Sequence, residues 1–434
     1  METKKMETSV QQESAISPPR TLRGKLKFIG PGFVVAATGV GAGDFVMASI
    51  AGTSFGLTLL WVIIVGAFIK FVLTEGIGRW YLSSGKTILE GWHLMGWWAT
   101  SYFGVYLIIM GIIYGSAITG TCSMIMIAMF PGTPFPLWAI ASGLSGFLLV
   151  WFGRYQLIEN FLKILIGLMF VSIIGSAIVI VANAGTMEYG VTPSVPEGSF
   201  FQILGILGGV GASITLTSYS YWIYAKGWRD KRWIPIMKLD VAAAYAITGL
   251  FAISVMIIAA ELLFGTGMTI SGNQGLVGLA DAYGERFGSV ARWVFLIGVW
   301  GAVFTSIVGP WHGMSYLFAD IVRIVKNKRK DPANTIDEEP ITEKDGAFRF
   351  YLFWITFPPM LLLLFNQPVA IVLLYGALGA AFMPILAAVL LYLLNSKHID
   401  KIDRNGKIMN TIFILIILLY VYLGGSELFQ MLFG

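Results

Sequence analysis

The chain of 434 residues is 56% hydrophobic and only 12% charged, with a formal net charge of +5. Soluble domains carry about 25% charged residues, so the composition excludes an ordinary soluble enzyme and specifies a polytopic membrane protein. The single cysteine, Cys122, excludes an intramolecular disulfide and a thiolate metal cluster within one chain.

Residues 1–27 read as a disordered cytoplasmic tail. Met1 to Arg20 lack the apolar core of a signal peptide, so the first span is expected to be retained. Runs of about 20 apolar residues then predict eleven spans. They lie near 28–50, 57–82, 102–129, 135–153, 155–182, 200–225, 237–263, 290–324, 349–366, 368–395 and 408–431.

The first span carries Gly39, Gly41 and Gly43, followed by Asp44. Each glycine weakens a helix by roughly 0.8–1 kcal/mol against alanine, so three at alternate positions predict a local unwinding. Unwound backbone at membrane depth survives only inside protein or along a cavity. A carboxylate there costs at least about 2.5 kcal/mol in lipid, so Asp44 is expected to face a binding site. The pattern recurs as Gly209-Val-Gly-Ala-Ser213 in the sixth span. Blocks 28–182 and 200–395 each hold five spans, joined by an extracytoplasmic loop over 183–199. Five is odd, so the second copy runs inverted. Paired glycine-interrupted spans of this kind point to a transporter site. The competing reading is close helix packing on small residues.

Charge placement orients the map. Arg20 to Lys27, Arg79, Lys86, Arg154, Lys226 to Arg232, Arg323 to Arg349 and Lys397 to Lys407 fall on one side. Only Arg286 and Arg292 fall opposite. The positive-inside rule makes the crowded side cytoplasmic, with the N-terminus inside, the C-terminus outside and 326–347 a solvated cytoplasmic loop. The +5 charge is thereby a matter of topology and predicts no nucleic-acid partner.

Among isolated polar residues, Glu75 with Arg79 and Glu159 with Lys163 have the i,i+4 spacing of helix ion pairs. Glu261 and His312 read as structural. Lys70 lies near mid-span with no acidic residue three or four away. It either snorkels or faces inward to partner a carboxylate. His93, His312 and His398 show no metal-ligand spacing, and no phosphate loop or nucleophile–base pair appears, so the sequence predicts no enzyme and no cofactor.

Gly30-Pro-Gly-Phe33, the run Gly56 to Trp61, Gly85 to Glu90 and Gly211-Ala-Ser213 resemble the Nramp family. The resemblance implies an all-α LeuT-type fold of two inverted five-helix repeats, broken at spans 1 and 6, with an eleventh helix over 408–431. It also implies proton-coupled transport of divalent metal. Aligned from Gly30, however, the family's metal-binding Asp-Pro-Gly-Asn falls on Gly41, Ala42, Gly43 and Asp44. Its Met-Pro-His falls on Thr215, Leu216 and Thr217.

The rebuilt site is expected to comprise Gly39, Gly41, Gly43, Asp44, Gly211, Ser213, Thr215, Thr217 and Ser218, with Asp44 and Thr215 as metal ligands. Free carbonyls and amides of the half-helices should complete it. Oxygen donors without thioether or imidazole suit hard cations such as magnesium or manganese. The same groups suit a small amino or carboxylic acid, because half-helix amides attract carboxylates. Partners are membrane lipid and the small solute, in a bacterial-type plasma membrane, with no obligate protein partner inferred.

Overall fold

The structure is a computed structural model. It describes residues 29–433 except 154, 184–191, 212, 269, 271–274, 328–340 and 366, together with 18, 19, 21 and 24. Most of the expected tail and of the loop over 326–347 lies outside the described residues, as do residues 184–191 of the loop over 183–199. So does Arg154, in the turn between the fourth and fifth spans.

The described residues form helices and contain no strand. In chain order these are α1 (Pro31–Gly39), α2 (Ala42–Phe55), α3 (Leu60–Ser84), α4 (Ile88–Leu94) and α5 (Trp97–Met129). They continue with α6 (Phe135–Phe152), α7 (Tyr155–Met169) and α8 (Gly175–Asn183), the last two joined through a π-turn at Phe170–Ile174. Next come α9 (Phe200–Gly209), a 3₁₀ turn at Ile214–Ser218, α10 (Tyr219–Ala225), α11 (Ile234–Leu263) and α12 (Gly275–Phe287). The chain ends with α13 (Ser289–Asn327), α14 (Gly346–Thr356), α15 (Pro359–Leu362), α16 (Pro368–Leu393) and α17 (Lys407–Phe433).

Ten of the described segments are long and apolar enough to cross a bilayer, and α1 with α2, bent by 46° at their junction, make an eleventh. The expected spans are therefore present. Among the largest shifts are those at the third, which starts at Trp97 instead of 102, and the seventh, which starts at Lys231 instead of 237. Both extensions are amphipathic rather than apolar. Trp97 and Trp98 lie exposed at the start of α5, where aromatic rings suit the membrane interface. The seventh opens on a 3₁₀ turn, Lys231–Trp233, whose Arg232 N–H is capped by Asp230 at 2.9 Å.

Helices α1, α2, α3, α9, α10 and α11 pack together as one bundle, with α11 running along α1, α2 and α3. Helices α5, α6, α13 and α14 form a second group, and α13 also lies against α1 and α7. Helix α16 packs against both groups, and α17 covers α16 and α9. The Tyr420 hydroxyl on α17 donates to the Leu207 carbonyl at 2.8 Å.

The two breaks meet at the centre. The position a Cβ would take on Gly39 lies 3.1 Å from the Gly211 backbone, and that of Gly43 lies 2.9 Å from the Gly209 carbonyl. Two glycines there are required. Gly211 has φ +74°, the left-handed region closed to most side chains. Gly41 is pressed under the Ser306 hydroxyl of α13, which occupies the space a Cβ would need.

Candidate functional site at the crossing of the two breaks

The break in the first span frees backbone groups that must find partners. The carbonyls face two hydroxyls of α13. Ser306 Oγ lies 3.3 Å from the carbonyls of Ala37 and Thr38 and 3.1 Å from that of Val40, while Thr305 Oγ1 lies 2.9 Å from that of Ala37. Pro310 inside α13 has no N–H. It therefore cannot bond the Ser306 carbonyl one turn earlier, and the Tyr114 hydroxyl of α5 reaches that oxygen at 3.3 Å. Each α13 hydroxyl has a single proton, and Thr305 Oγ1 also lies 2.6 Å from the Ala302 carbonyl of its own helix, so the carbonyls of the break keep acceptor capacity beside α13.

The amides are taken by Asp44. Its Oδ2 accepts the Gly41 N–H at 3.3 Å, and its two oxygens accept the Gly211 N–H at 3.2 and 3.4 Å. Asp44 is fully buried. One carboxylate therefore bridges both breaks. Facing it from α3 is Lys70, also 0% exposed. Its ammonium donates to the Gly208 carbonyl at 3.2 Å and acts electrostatically on Asp44. A cation there complements the negative end of the α9 dipole. Of the two readings open for Lys70, the inward one holds.

The hydroxyls divide. Thr217 Oγ1 donates to the Ile214 carbonyl of its own turn at 2.5 Å, and Ser213 Oγ reaches Tyr375 Oη at 3.5 Å. Thr215 Oγ1 and Ser218 Oγ are buried with no hydrogen-bond partner. Such groups cost about 1–3 kcal/mol each when left unsatisfied. Ser218 lies over Gly313 of α13. Tyrosine rings complete the surroundings: Tyr375 packs on Gly43, Tyr245 on Gly211, and Tyr114 meets Tyr375 edge-on at 4.9 Å.

The structure thus places Gly39, Gly41, Gly43, Asp44 and Gly211 at one crossing, with Ser213, Thr215, Thr217 and Ser218 in the adjoining turn. Sequence reasoning missed Thr305, Ser306, Tyr245 and Tyr375. The adjacent hydroxyls at 305 and 306, in the middle of an apolar run, were the available signal. No group of three or more His, Cys, Asp or Glu side chains able to hold a metal occurs among the described residues.

A second cluster anchors the basic end of the bundle. Asp240 of α11, fully buried, accepts the Gly30 N–H at 3.0 Å, the Gly32 N–H at 2.5 Å and the Tyr219 hydroxyl at 2.8 Å. It caps the free N-terminus of α1. Beside it, Glu159 accepts from Lys163 at 2.5 Å and from Lys226, just past the end of α10, at 2.7 Å, so the expected i,i+4 pair extends into a clamp to a second segment. Glu75 pairs with Arg79 at 3.0 Å and Glu261 with Arg286 at 2.8 Å.

His312 receives the Trp222 indole N–H at 3.3 Å and lies 3.4 Å from Glu343. Burial works against the Glu343 carboxylate, but the His312 ring beside it prevails and holds it down at about 2. A cavity of about 440 Å³ opens at this end, lined by Tyr81, Glu90, Tyr221, Arg229 and Arg323 among others.

Removing the Asp240 carboxylate should release α1. Asp240→Ala strands two amides and a phenol, at about 1–3 kcal/mol for each group left buried. Hydrogen exchange at 30–34 should then accelerate and the melting temperature fall. Exchange as slow as in the unsubstituted protein would show that the cap contributes nothing.

Paired broken helices crossing inside a two-group bundle, with a buried carboxylate between them, define a multi-pass membrane transporter of the LeuT fold. Residues 32–430 match the family model described as natural resistance-associated macrophage protein-like. The chain belongs to this family, Nramp, and is a membrane transporter by class and not an enzyme.

An uncharacterised protein of Pasteurella multocida is 22% identical over 326 residues, which is 71% of this chain and 74% of that protein. A divalent metal cation transporter, MntH, of Yersinia enterocolitica is 36% identical over 75 residues, 17% of this chain and 18% of the relative. Among solved structures, a manganese transporter of Eremococcus coleocola superposes with a TM-score of 0.70 at 13% identity, covering 95% of this chain and 89% of that one. MhsT in complex with L-phenylalanine superposes with a TM-score of 0.60 at 17% identity, covering 91% and 98%.

Proposed function

We propose that this protein is a secondary active transporter of a hard divalent cation of the magnesium or manganese type, coupled to proton movement. The observation that carries the reading is Asp44, fully buried and joined to the backbone of both breaks. Unpartnered hydroxyls at Thr215 and Ser218 lie in the adjoining turn. Oxygen donors select hard cations. A cation at Asp44 would bind the two half-helix pairs to each other, which is how occupancy would be communicated to the fold. The likeness to a divalent-cation transporter and to a manganese transporter supports the same substrate class. Asp44 and Thr215 are the proposed ligands. The remaining glycines and hydroxyls of the crossing shape the site, and no cofactor takes part.

Lys70 favours a second reading. An ammonium and a carboxylate flanking Gly208 to Gly211 complement a zwitterion, and a protein of the same fold has been solved with L-phenylalanine bound. In that reading Asp44 would hold the substrate ammonium, and Lys70 with the Gly211 amide its carboxylate.

Purified protein in liposomes decides between them. The metal reading expects manganese or magnesium uptake that responds to an imposed proton gradient. Accumulation of an amino or carboxylic acid, with no metal uptake, would overturn it.

The proposed orientation places the basic end of the bundle in the cytoplasm, the N-terminus inside and the C-terminus outside. A reporter fused after Gly434 should then be extracytoplasmic and one inserted in 330–340 cytoplasmic. Both reporters on one side would refute eleven spans in this orientation.

A further inference from the structure

The C-terminal end of α1 presents more acceptor oxygen than the protons around it satisfy. Its last helical bond runs from the Val40 N–H to the Ala36 carbonyl. The Gly41 N–H, next in line for the Ala37 carbonyl, goes instead to Asp44 at 3.3 Å. The carbonyls of Ala37, Thr38 and Val40 therefore face α13, where Thr305 and Ser306 lie buried next to each other. We propose that these oxygens, with the Ala302 carbonyl, form a binding site for sodium. It is separate from Asp44, adds a second ion to the proton movement proposed above, and holds whichever solute Asp44 binds.

The hydrogen bonds do not close without a cation. Thr305 Oγ1 lies 2.6 Å from the Ala302 carbonyl and 2.9 Å from that of Ala37, and its single proton serves the nearer one. Ser306 Oγ has one proton for three carbonyls, those of Val40 at 3.1 Å and of Ala37 and Thr38 at 3.3 Å. All three distances exceed the usual hydroxyl bond of about 2.7–2.8 Å. Both hydroxyl oxygens also keep lone pairs on the side of α1. Carbonyl and hydroxyl oxygens converging in this way replace the hydration shell of an ion.

The donor set selects the charge. None of these oxygens is ionised, and Asp44 is engaged with the Gly41 and Gly211 amides. The negative end of the α1 dipole supplies only about half an elementary charge. The cost of taking an ion out of water grows with the square of its charge, so neutral oxygens suit a monovalent cation and not a divalent one. Their close spacing favours sodium over the larger potassium. The Val40 carbonyl and the Gly41 N–H belong to one peptide group, so the sodium site and Asp44 meet through a single peptide bond.

The test is binding of radioactive sodium to the purified full-length protein, with melting curves in sodium, potassium and choline chloride at equal ionic strength. The unsubstituted protein should bind sodium saturably and melt highest in sodium. Thr305→Val and Ser306→Ala each delete one oxygen. Each should weaken sodium binding by at least about tenfold, the scale of losing even an outer-shell partner of a metal. Thr305→Ser keeps the hydroxyl and should keep the binding, which separates the oxygen from packing. Unchanged sodium affinity in Thr305→Val or Ser306→Ala would overturn the proposal. Should neither variant fold, the unsubstituted protein still decides. No saturable sodium binding, or melting that answers equally to every salt, as a water in the same place would give, would overturn it. Manganese titrated in parallel distinguishes this site from Asp44. Sodium binding without manganese binding would overturn the metal reading and leave this inference standing, and manganese binding without sodium binding would do the reverse.

Discussion

Asp44→Asn should weaken manganese binding by at least about 100-fold, a loss of about 3 kcal/mol, while leaving a folded protein. It removes the one carboxylate at the crossing, and with it the electrostatic attraction for a divalent ion. The sequence alone implies that asparagine would be nearly silent for the fold, since it keeps the shape and still hydrogen-bonds. The structure adds a cost. Asp44 accepts from Gly41 on one oxygen and from Gly211 on both. Asparagine keeps one acceptor oxygen, which in the Oδ2 place can still take both amides, but its NH₂ group then stands where Oδ1 met the Gly211 N–H and sets donor against donor. A lower melting temperature with a native-like elution profile is therefore expected alongside the lost binding. In the zwitterion reading the same variant keeps its affinity for a simple carboxylate and loses its response to the proton gradient. Unchanged manganese affinity would remove Asp44 from the site and leave the breaks as packing devices.

Lys70→Met should destabilise the metal-free protein in detergent by about 3–5 kcal/mol, the range for removing one member of a buried charge pair. Asp44 then loses its compensating charge, and the Gly208 carbonyl loses its donor. Two further outcomes separate this from a loss of packing. Combining Lys70→Met with Asp44→Asn should cost less than the sum of the two, because each removes the charge that strands the other. Manganese should also restore more of the melting temperature in Lys70→Met than it adds to the unsubstituted protein, since the ion replaces the missing cation. A melting temperature equal to that of the unsubstituted protein would mean that Lys70 contributes nothing to the crossing.

Which parts of this were legible in the sequence follows from how local their causes are. The spans were readable because a bilayer imposes a length of about 20 apolar residues on each, and both breaks were readable because glycine spacing acts within one turn. Boundaries slipped at Trp97 and Lys231, where amphipathic residues extend a helix past its apolar run. The partners of the breaks were not legible, because they come from far along the chain. Ser306 and Thr305 reach across some 265 residues to the carbonyls of Ala37, Thr38 and Val40.

The orientation of a mid-span lysine was equally beyond reach. Nothing near Lys70 in sequence says whether it faces lipid or Gly208, and only the packing of α3 on α9 decides. Asp240 carries no local signal in the sequence, yet it caps α1 from more than 200 residues away. Thr217 and Thr215 are two residues apart and chemically identical. One is satisfied by its own turn and the other is left without a partner, a difference set by the 3₁₀ geometry of Ile214–Ser218.

The central claim, that a hard divalent cation binds between the two breaks, is tested most directly by crystals of the full chain soaked in manganese and measured at the manganese absorption edge. An anomalous difference peak is expected against the Asp44 carboxylate, within ligand distance of Thr215, and it should disappear in Asp44→Asn. A peak confined to the cavity at the basic end, or none at a concentration that saturates binding in solution, would contradict it.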